Sequence, residues 1–309
     1  MSTPQNLVSP KQAVINLMRG TVPERVPEID SLWASYDPEV VLVANAKHVT
    51  LNATKVRIEF DAKTIDVFWL IGFAGWKAIE CYSPHVVCSA ATGQTVAELI
   101  RADQGLDEVE RAYKERRGAA QTLIDTPDLD SAPWPPDLPR PSADRDALSG
   151  PQYKVAFDLT CLAVAFTLFH EFRHVMLDRD NARHDDRREE ELACDVWARE
   201  FMTSNLASYA ASHGHAFQDV LRKRSMGFAL AALILDEITP VWDHGGNREY
   251  FSVAARLTAI LDNTQLPDND HFWRFAASLL IGILRQKHIP MDAPAVSARE
   301  LARHLIDKL

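Results

Sequence analysis

The feature that most limits how this chain can fold is an apolar stretch, Val155 to Phe169, whose only charged residue is Asp158 and which runs directly into His170-Glu171-Phe172-Arg173-His174. Such a stretch predicts a helix buried in a core. It falls short of the roughly 20 residues that a bilayer crossing demands. The same holds for Met226 to Ile238, which stops at Asp236 and Glu237. Ionisable groups at the mouth of a buried helix are costly unless they find partners. The rest of the chain must therefore carry groups to His170, Glu171 and His174.

The surrounding pattern is helical from Gln152 to the end, with helices expected at 152–178, 187–209, 216–238, 247–263, 269–287 and 296–308. Before it, Pro10 to Arg19 reads as a short amphipathic helix, and Lys55 to Phe60 alternates polar and apolar residues with the period of a strand. Val40 to Ala44, Ile65 to Ile71 and Ala78 to Cys88 are rich in β-branched and aromatic residues and are expected as further strands. Thr95 to Arg117 returns to a charged helical pattern. The fold class expected is α+β: mainly α-helical, with a small, mostly antiparallel N-terminal sheet.

Seven of the 17 prolines fall between Thr126 and Pro151. That density blocks helix and central strand. The organisation expected is an N-terminal region over 1–125, a proline-rich linker or lid over 126–151, and a helical region over 152–309, with the two outer parts free to share one domain.

Composition narrows the function. With a net charge of −10 and no basic block interleaved with aromatics, the chain has no general attraction for nucleic acid or anionic lipid. Neither is expected as a partner, and no membrane association is expected. Cys81, Cys88, Cys161 and Cys194 are widely spaced and form no C-x-x-C pair, which suits reduced thiols rather than a disulfide framework. Met1 to Lys11 holds no apolar signal-peptide core. Both observations fit a cytoplasmic setting.

His170-Glu171-Phe172-Arg173-His174 is an HExxH motif. On a helix, His170 and His174 lie one turn apart on one face and can reach a single metal ion. Glu171 sits about 100° round the axis, beside a metal-bound water rather than on the metal. Zinc lowers the pKa of such a water to about 7, so a neighbouring carboxylate can act as general base. Sixteen intervening residues separate His174 from Glu191, the expected third metal ligand, which is followed at i+4 by Asp195. Asp195 is placed to accept a hydrogen bond from the outer nitrogen of a ligand histidine. The alternative for Glu191 is an acidic first turn stabilising a helix N-terminus, since Glu189, Glu190 and Glu191 form a run. Glu190 is the fallback ligand, and it lacks a carboxylate four residues later.

HEFRH followed by Glu-x-x-Cys-Asp resembles the gluzincin branch of HExxH zinc peptidases, whose second helix carries Glu-x-x-x-Asp, often as Glu-x-x-Ala-Asp; Cys194 stands where that alanine is usual. The likeness is strong over residues 165–202. Chain length, the absence of a signal-peptide core and the central position of the motif are similar to the phage-exclusion Lit-like peptidases of the U49 group, which are cytoplasmic bacterial proteases. The resemblance implies a zincin-like fold, a zinc ion and a protein or peptide substrate.

A weaker element, Asp243 to Tyr250 with Arg256 beyond it, lies downstream and could supply a cation or phenol that stabilises the tetrahedral oxyanion. His244, with Arg256 beyond it, faintly resembles a His…Arg pair that assists the transition state in some gluzincin-like families, although Gly245 and Gly246 replace the prolines. The alternative is a polar loop capping the next helix. His184, His213 and His215 read as solvated, and Asp178 to Glu190 as a flexible connection. The function expected is a cytoplasmic zinc-dependent peptidase with substrate held on an edge strand; a variant of that reading has it latent until an activating partner arrives. The competing reading is a non-catalytic helical regulatory or interaction module with a structural or vestigial metal site.

Overall fold

The computed structural model describes residues 8–43, 49–126, 133–141, 144–262 and 264–309. Two helices, α1 (Pro10–Thr21) and α2 (Val26–Tyr36), precede the strands β1 (Glu39–Val43), β2 (Leu51–Ala53) and β3 (Arg57–Asp61). The remainder is helical: α3 (Ala62–Thr92), α4 (Val96–Ala102), α5 (Leu106–Asp125), α6 (Pro151–Arg179), α7 (Arg187–Thr203), α8 (Leu206–Ser212), α9 (Phe217–Ile238), α10 (Val253–Asp262), α11 (His271–Gln286) and α12 (Ala298–Ile306). The chain is α+β and mainly helical, as its sequence predicts.

The sheet has the order β1-β3-β2. It is mixed, not mostly antiparallel: β1 runs parallel to β3, with Glu39 opposite Arg57, while β2 runs antiparallel to β3, with Leu51 opposite Phe60. Among the described strands β2 forms one edge, and it lies beside α6.

Two stretches expected as strands, Ile65–Ile71 and Ala78–Cys88, are parts of α3. Asp61 starts that helix, its Oδ1 accepting from the Thr64 amide at 2.7 Å. Most of α3 is then enclosed by α5, α6 and α11, so apolar residues occupy nearly every face and no helical period is left to read. Gly72 permits the close approach to α6: a Cβ there would stand 2.1 Å from Thr160 Oγ1.

Other boundaries shift for local reasons. The segment 95–117 divides into α4 and α5 at Asp103-Gln104-Gly105, where Asp103 Oδ1 accepts from the Gly105 amide at 3.0 Å. The helix expected over 187–209 breaks after Thr203 into α7 and α8, and that expected over 247–263 begins only at Val253. Between Thr126 and Pro151 the described residues form turns without helix or strand. They are anchored on α3 and α6, with Trp69 donating to the Pro139 carbonyl at 2.8 Å and Tyr153 to that of Asp137 at 3.0 Å. The rest of that segment, Ala44 and the first seven residues lie outside the described residues.

One continuous apolar core runs from Val14 to Ile306. At its centre, α6 packs against α3, α7 and α9. By length and composition α6 is apolar enough to cross a membrane, yet 67% of its most apolar window is buried inside the protein.

Candidate metal centre

Two helices build the site. Near the C-terminal end of α6, His170 and His174 follow one another by a single turn, and α7 turns Glu190, Glu191, Cys194 and Asp195 inward toward them. Asp186 fixes where α7 begins, its Oδ1 accepting from the Arg188 amide at 2.9 Å. The connection between the helices, expected to be flexible and solvated, is tied to the site instead. The His184 amide donates to Glu190 Oε2 at 3.2 Å, and Arg183 pairs with both Asp178 and Glu190.

The inner nitrogens converge. Nε2 of His170 and Nε2 of His174 stand 3.2 Å apart. Glu191 bridges them, with Oε2 at 3.2 Å from His170 Nε2 and Oε1 at 3.2 Å from His174 Nε2. Donors bound tetrahedrally to zinc lie roughly 3.3–3.6 Å from one another, so this spacing fits one ion with little movement. All three side chains are buried.

The outer nitrogens are taken. His170 Nδ1 donates to Asp195 Oδ1 at 2.7 Å. Asp195 is gripped in turn by Arg256, through Nε and Nη2 at 3.0 Å each. His174 Nδ1 lies 3.0 Å from Glu190 Oε1. A proton held on each Nδ1 leaves the Nε2 lone pair free for an ion. Without an ion, the same cage draws a proton to His170 instead. Burial pulls the His170 pKa down, but Asp195 and Glu191 outweigh it and lift the imidazole to about 10. The cage thus favours positive charge strongly. Against the burial that would raise it, the two imidazoles hold Glu191 well below the usual carboxylate range. Burial raises the Glu171 carboxyl, opposed by His170 and His174.

Glu171 lines a cleft of about 300 Å³ together with all three converging side chains. Edge strand β2 forms one wall through Leu51, Asn52 and Ala53, and α9 contributes Ala231 and Ile234. Tyr250 and Arg187 complete the polar rim. Tyr250 arrives by a tight turn: Gly246 has φ 84°, and Asn247 Oδ1 accepts from the amides of Glu249 and Tyr250 at 2.8 and 2.9 Å. At Gly246 a Cβ would stand 2.7 Å from the Ser252 amide nitrogen, so a side chain does not fit. Burial and the negative charge of Glu191 both raise the Tyr250 pKa, keeping the phenol protonated.

The folded chain thus brings His170, His174, Glu191, Asp195 and Glu171 together. His244 is not brought to the cleft: its Nε2 is 2.9 Å from the Thr239 carbonyl, and its other nitrogen faces Asp236 and Lys287. Arg256 holds Asp195 rather than pairing with His244. Glu190 is not one of the three converging side chains but supports His174 from outside. Its supporting role was not assigned from the sequence. The one available signal was the run Glu189-Glu190-Glu191, in which adjacent helical residues point about 100° apart and can serve different faces of a neighbouring group.

The family model described as peptidase U49 matches residues 58–276, well over half the chain. The chain belongs to the peptidase U49 family. It is a peptidase by that membership. The U49 match begins within β3, ends within α11 and encloses His170, Glu171, His174, Glu190, Glu191, Asp195, Tyr250 and Arg256. No curated protein and no solved structure matches the chain.

Proposed function

We propose that this U49 peptidase is a zinc-dependent, cytoplasmic enzyme that hydrolyses peptide bonds in a protein or peptide substrate, with Glu171 as general base. The observation that carries the proposal is the arrangement of two imidazoles and one carboxylate converging at 3.2 Å, with each outer imidazole nitrogen taken by a carboxylate. His170, His174 and Glu191 would hold the ion. When bound, zinc supplies Lewis acidity, polarising the scissile carbonyl and acidifying a water.

The protein's own groups do the rest. Glu171, one residue along the helix from His170, accepts the proton of the attacking water and delivers it to the leaving amine. Asp195 and Glu190 keep both imidazoles in one tautomer and orientation. Tyr250 and Arg187, as donors on the cleft wall, are offered for the negative charge that develops on the carbonyl oxygen. Among the described residues β2 is an edge strand and lies along the cleft, so an extended peptide can add to the sheet beside Glu171 through backbone hydrogen bonds. The four free thiols suit a reducing compartment.

The test is paired. Metal content and peptide cleavage are measured for the wild-type chain and for Glu171→Gln. The expected result is one zinc per chain in both and cleavage only in the wild type. A variant that cleaves as well as the wild type, or a wild-type chain that takes up no zinc, overturns the proposal.

A further inference from the structure

We propose that the enzyme selects substrates by a large aliphatic or aromatic side chain, received in an apolar cavity that adjoins the metal cleft across β2; this rests on the peptidase reading above. The cavity has a volume of about 360 Å³ and is framed by Leu17 of α1, Leu51 of β2, Ile65 and Phe68 of α3, and Phe157 and Val164 of α6. Leu51 and Phe68 also line the metal cleft, so the two spaces adjoin at these side chains.

The two lobes differ in chemistry. The metal lobe carries Glu171, Arg187, Glu191 and Arg256, whereas among the described residues no charged side chain lines the other. The hydroxyls of its described threonines are spent internally: Thr64 donates to the Thr50 carbonyl at 2.6 Å and Thr160 to that of Ala156 at 2.8 Å. A polar substrate side chain entering it would lose water and gain no partner, while an apolar one would be buried favourably.

Strand geometry delivers a side chain there. Along β2, Leu51 and Ala53 are half-buried while Asn52 is exposed. In a peptide paired to this edge, alternate side chains point the same way as Leu51, toward the protein, and those between them point to solvent. The backbone then passes the polar lobe for cleavage while one inward side chain drops into the apolar lobe.

The experiment uses the zinc-loaded full chain and a peptide set that differs at one position, carrying Leu, Phe, Ala, Ser or Asp. Cys161→Phe and Val164→Phe fill the cavity from α6, and neither residue lines the metal cleft. Thermal melting establishes which of the two variants keeps the wild-type fold. The wild type is expected to favour Leu or Phe over Ser or Asp by at least roughly 10-fold in kcat/KM. In a folded variant that preference is expected to collapse, and zinc-loaded Glu171→Gln is expected to bind the same peptides in the same order. Cleavage with no apolar preference, or a preference unchanged in folded filling variants, overturns the pocket and leaves the peptidase reading standing. Absence of both cleavage by the wild type and binding by Glu171→Gln overturns the two together.

Discussion

Glu190 Oε1 lies 3.0 Å from Nδ1 of His174, on the side of the ring away from Glu191. Adjacent residues of one helix thus serve opposite sides of the same imidazole. Glu190 is itself buried and held by the His184 amide, Arg183 and Arg187. It fixes the ring and raises its basicity, as Asp195 does for His170.

Glu190→Gln is expected to keep the fold and weaken metal affinity or activity by roughly 10–100-fold. Competition with a zinc-binding dye and kcat/KM on one peptide read the two effects. Wild-type affinity and rate in this variant would show that Glu190 merely fills space.

Arg256→Met removes the cation that grips Asp195. Asp195 would then be a buried carboxylate paired with His170 alone, a change expected to cost about 3–5 kcal/mol of stability. Denaturant unfolding measures it. A second variant, Arg256→Met with Asp195→Asn, is expected to recover part of that loss, because no uncompensated charge remains.

Tyr250→Phe removes a cleft hydroxyl without removing the ring. If the phenol meets the developing oxyanion, kcat falls by roughly 10²–10³ while KM and zinc content hold. A rise in KM alone would assign Tyr250 to substrate binding instead.

Stability is expected to fall in acid partly through Asp270. This residue caps α11, accepting from the Phe272 amide at 2.9 Å, and binds Arg222 through two contacts of 2.8 Å. Against the burial that raises it, Arg222 holds its pKa below the ordinary 3.8. A depressed carboxylate stabilises the fold above its unfolded pKa, and the contribution is lost as pH falls through the lower folded value. Asp270→Asn is therefore expected to be less stable by about 1–3 kcal/mol near neutrality. Its deficit should shrink below pH 3.8, as followed by melting temperature across that range.

Gly72→Ala tests the closest helix contact beside the apolar cavity. The added methyl would meet Thr160 Oγ1 at 2.1 Å, and overpacking of this kind costs about 1–3 kcal/mol. Pairing it with Thr160→Ala, which removes the clashing hydroxyl, is expected to restore part of the melting temperature.

The candidate metal ligands were legible in the sequence because helical spacing is a local property. His170 and His174 share a face whatever surrounds them, and the i, i+4 pair Glu191 and Asp195 is equally local. The buried helices α6, α9 and α11 were legible for a similar reason: long apolar runs leave few alternatives. The helix α3 was not, because burial on nearly all sides erased its period and left only composition, which suggested strands.

The sequence by itself determined that two imidazoles spaced to share one metal ion sit at the end of a core helix and which acidic segment faces them. Only the tertiary structure decided that Glu191 rather than Glu190 bridges both rings, that Glu190 stands behind His174, and that His170 is the ring Asp195 serves, because that depends on how α7 packs against α6. The parallel pairing of β1 with β3, the placing of edge strand β2 along the cleft, and the exclusion of His244 from it were likewise decided there. Each turns on contacts between residues far apart in the chain, and spacing along a sequence carries no information about those.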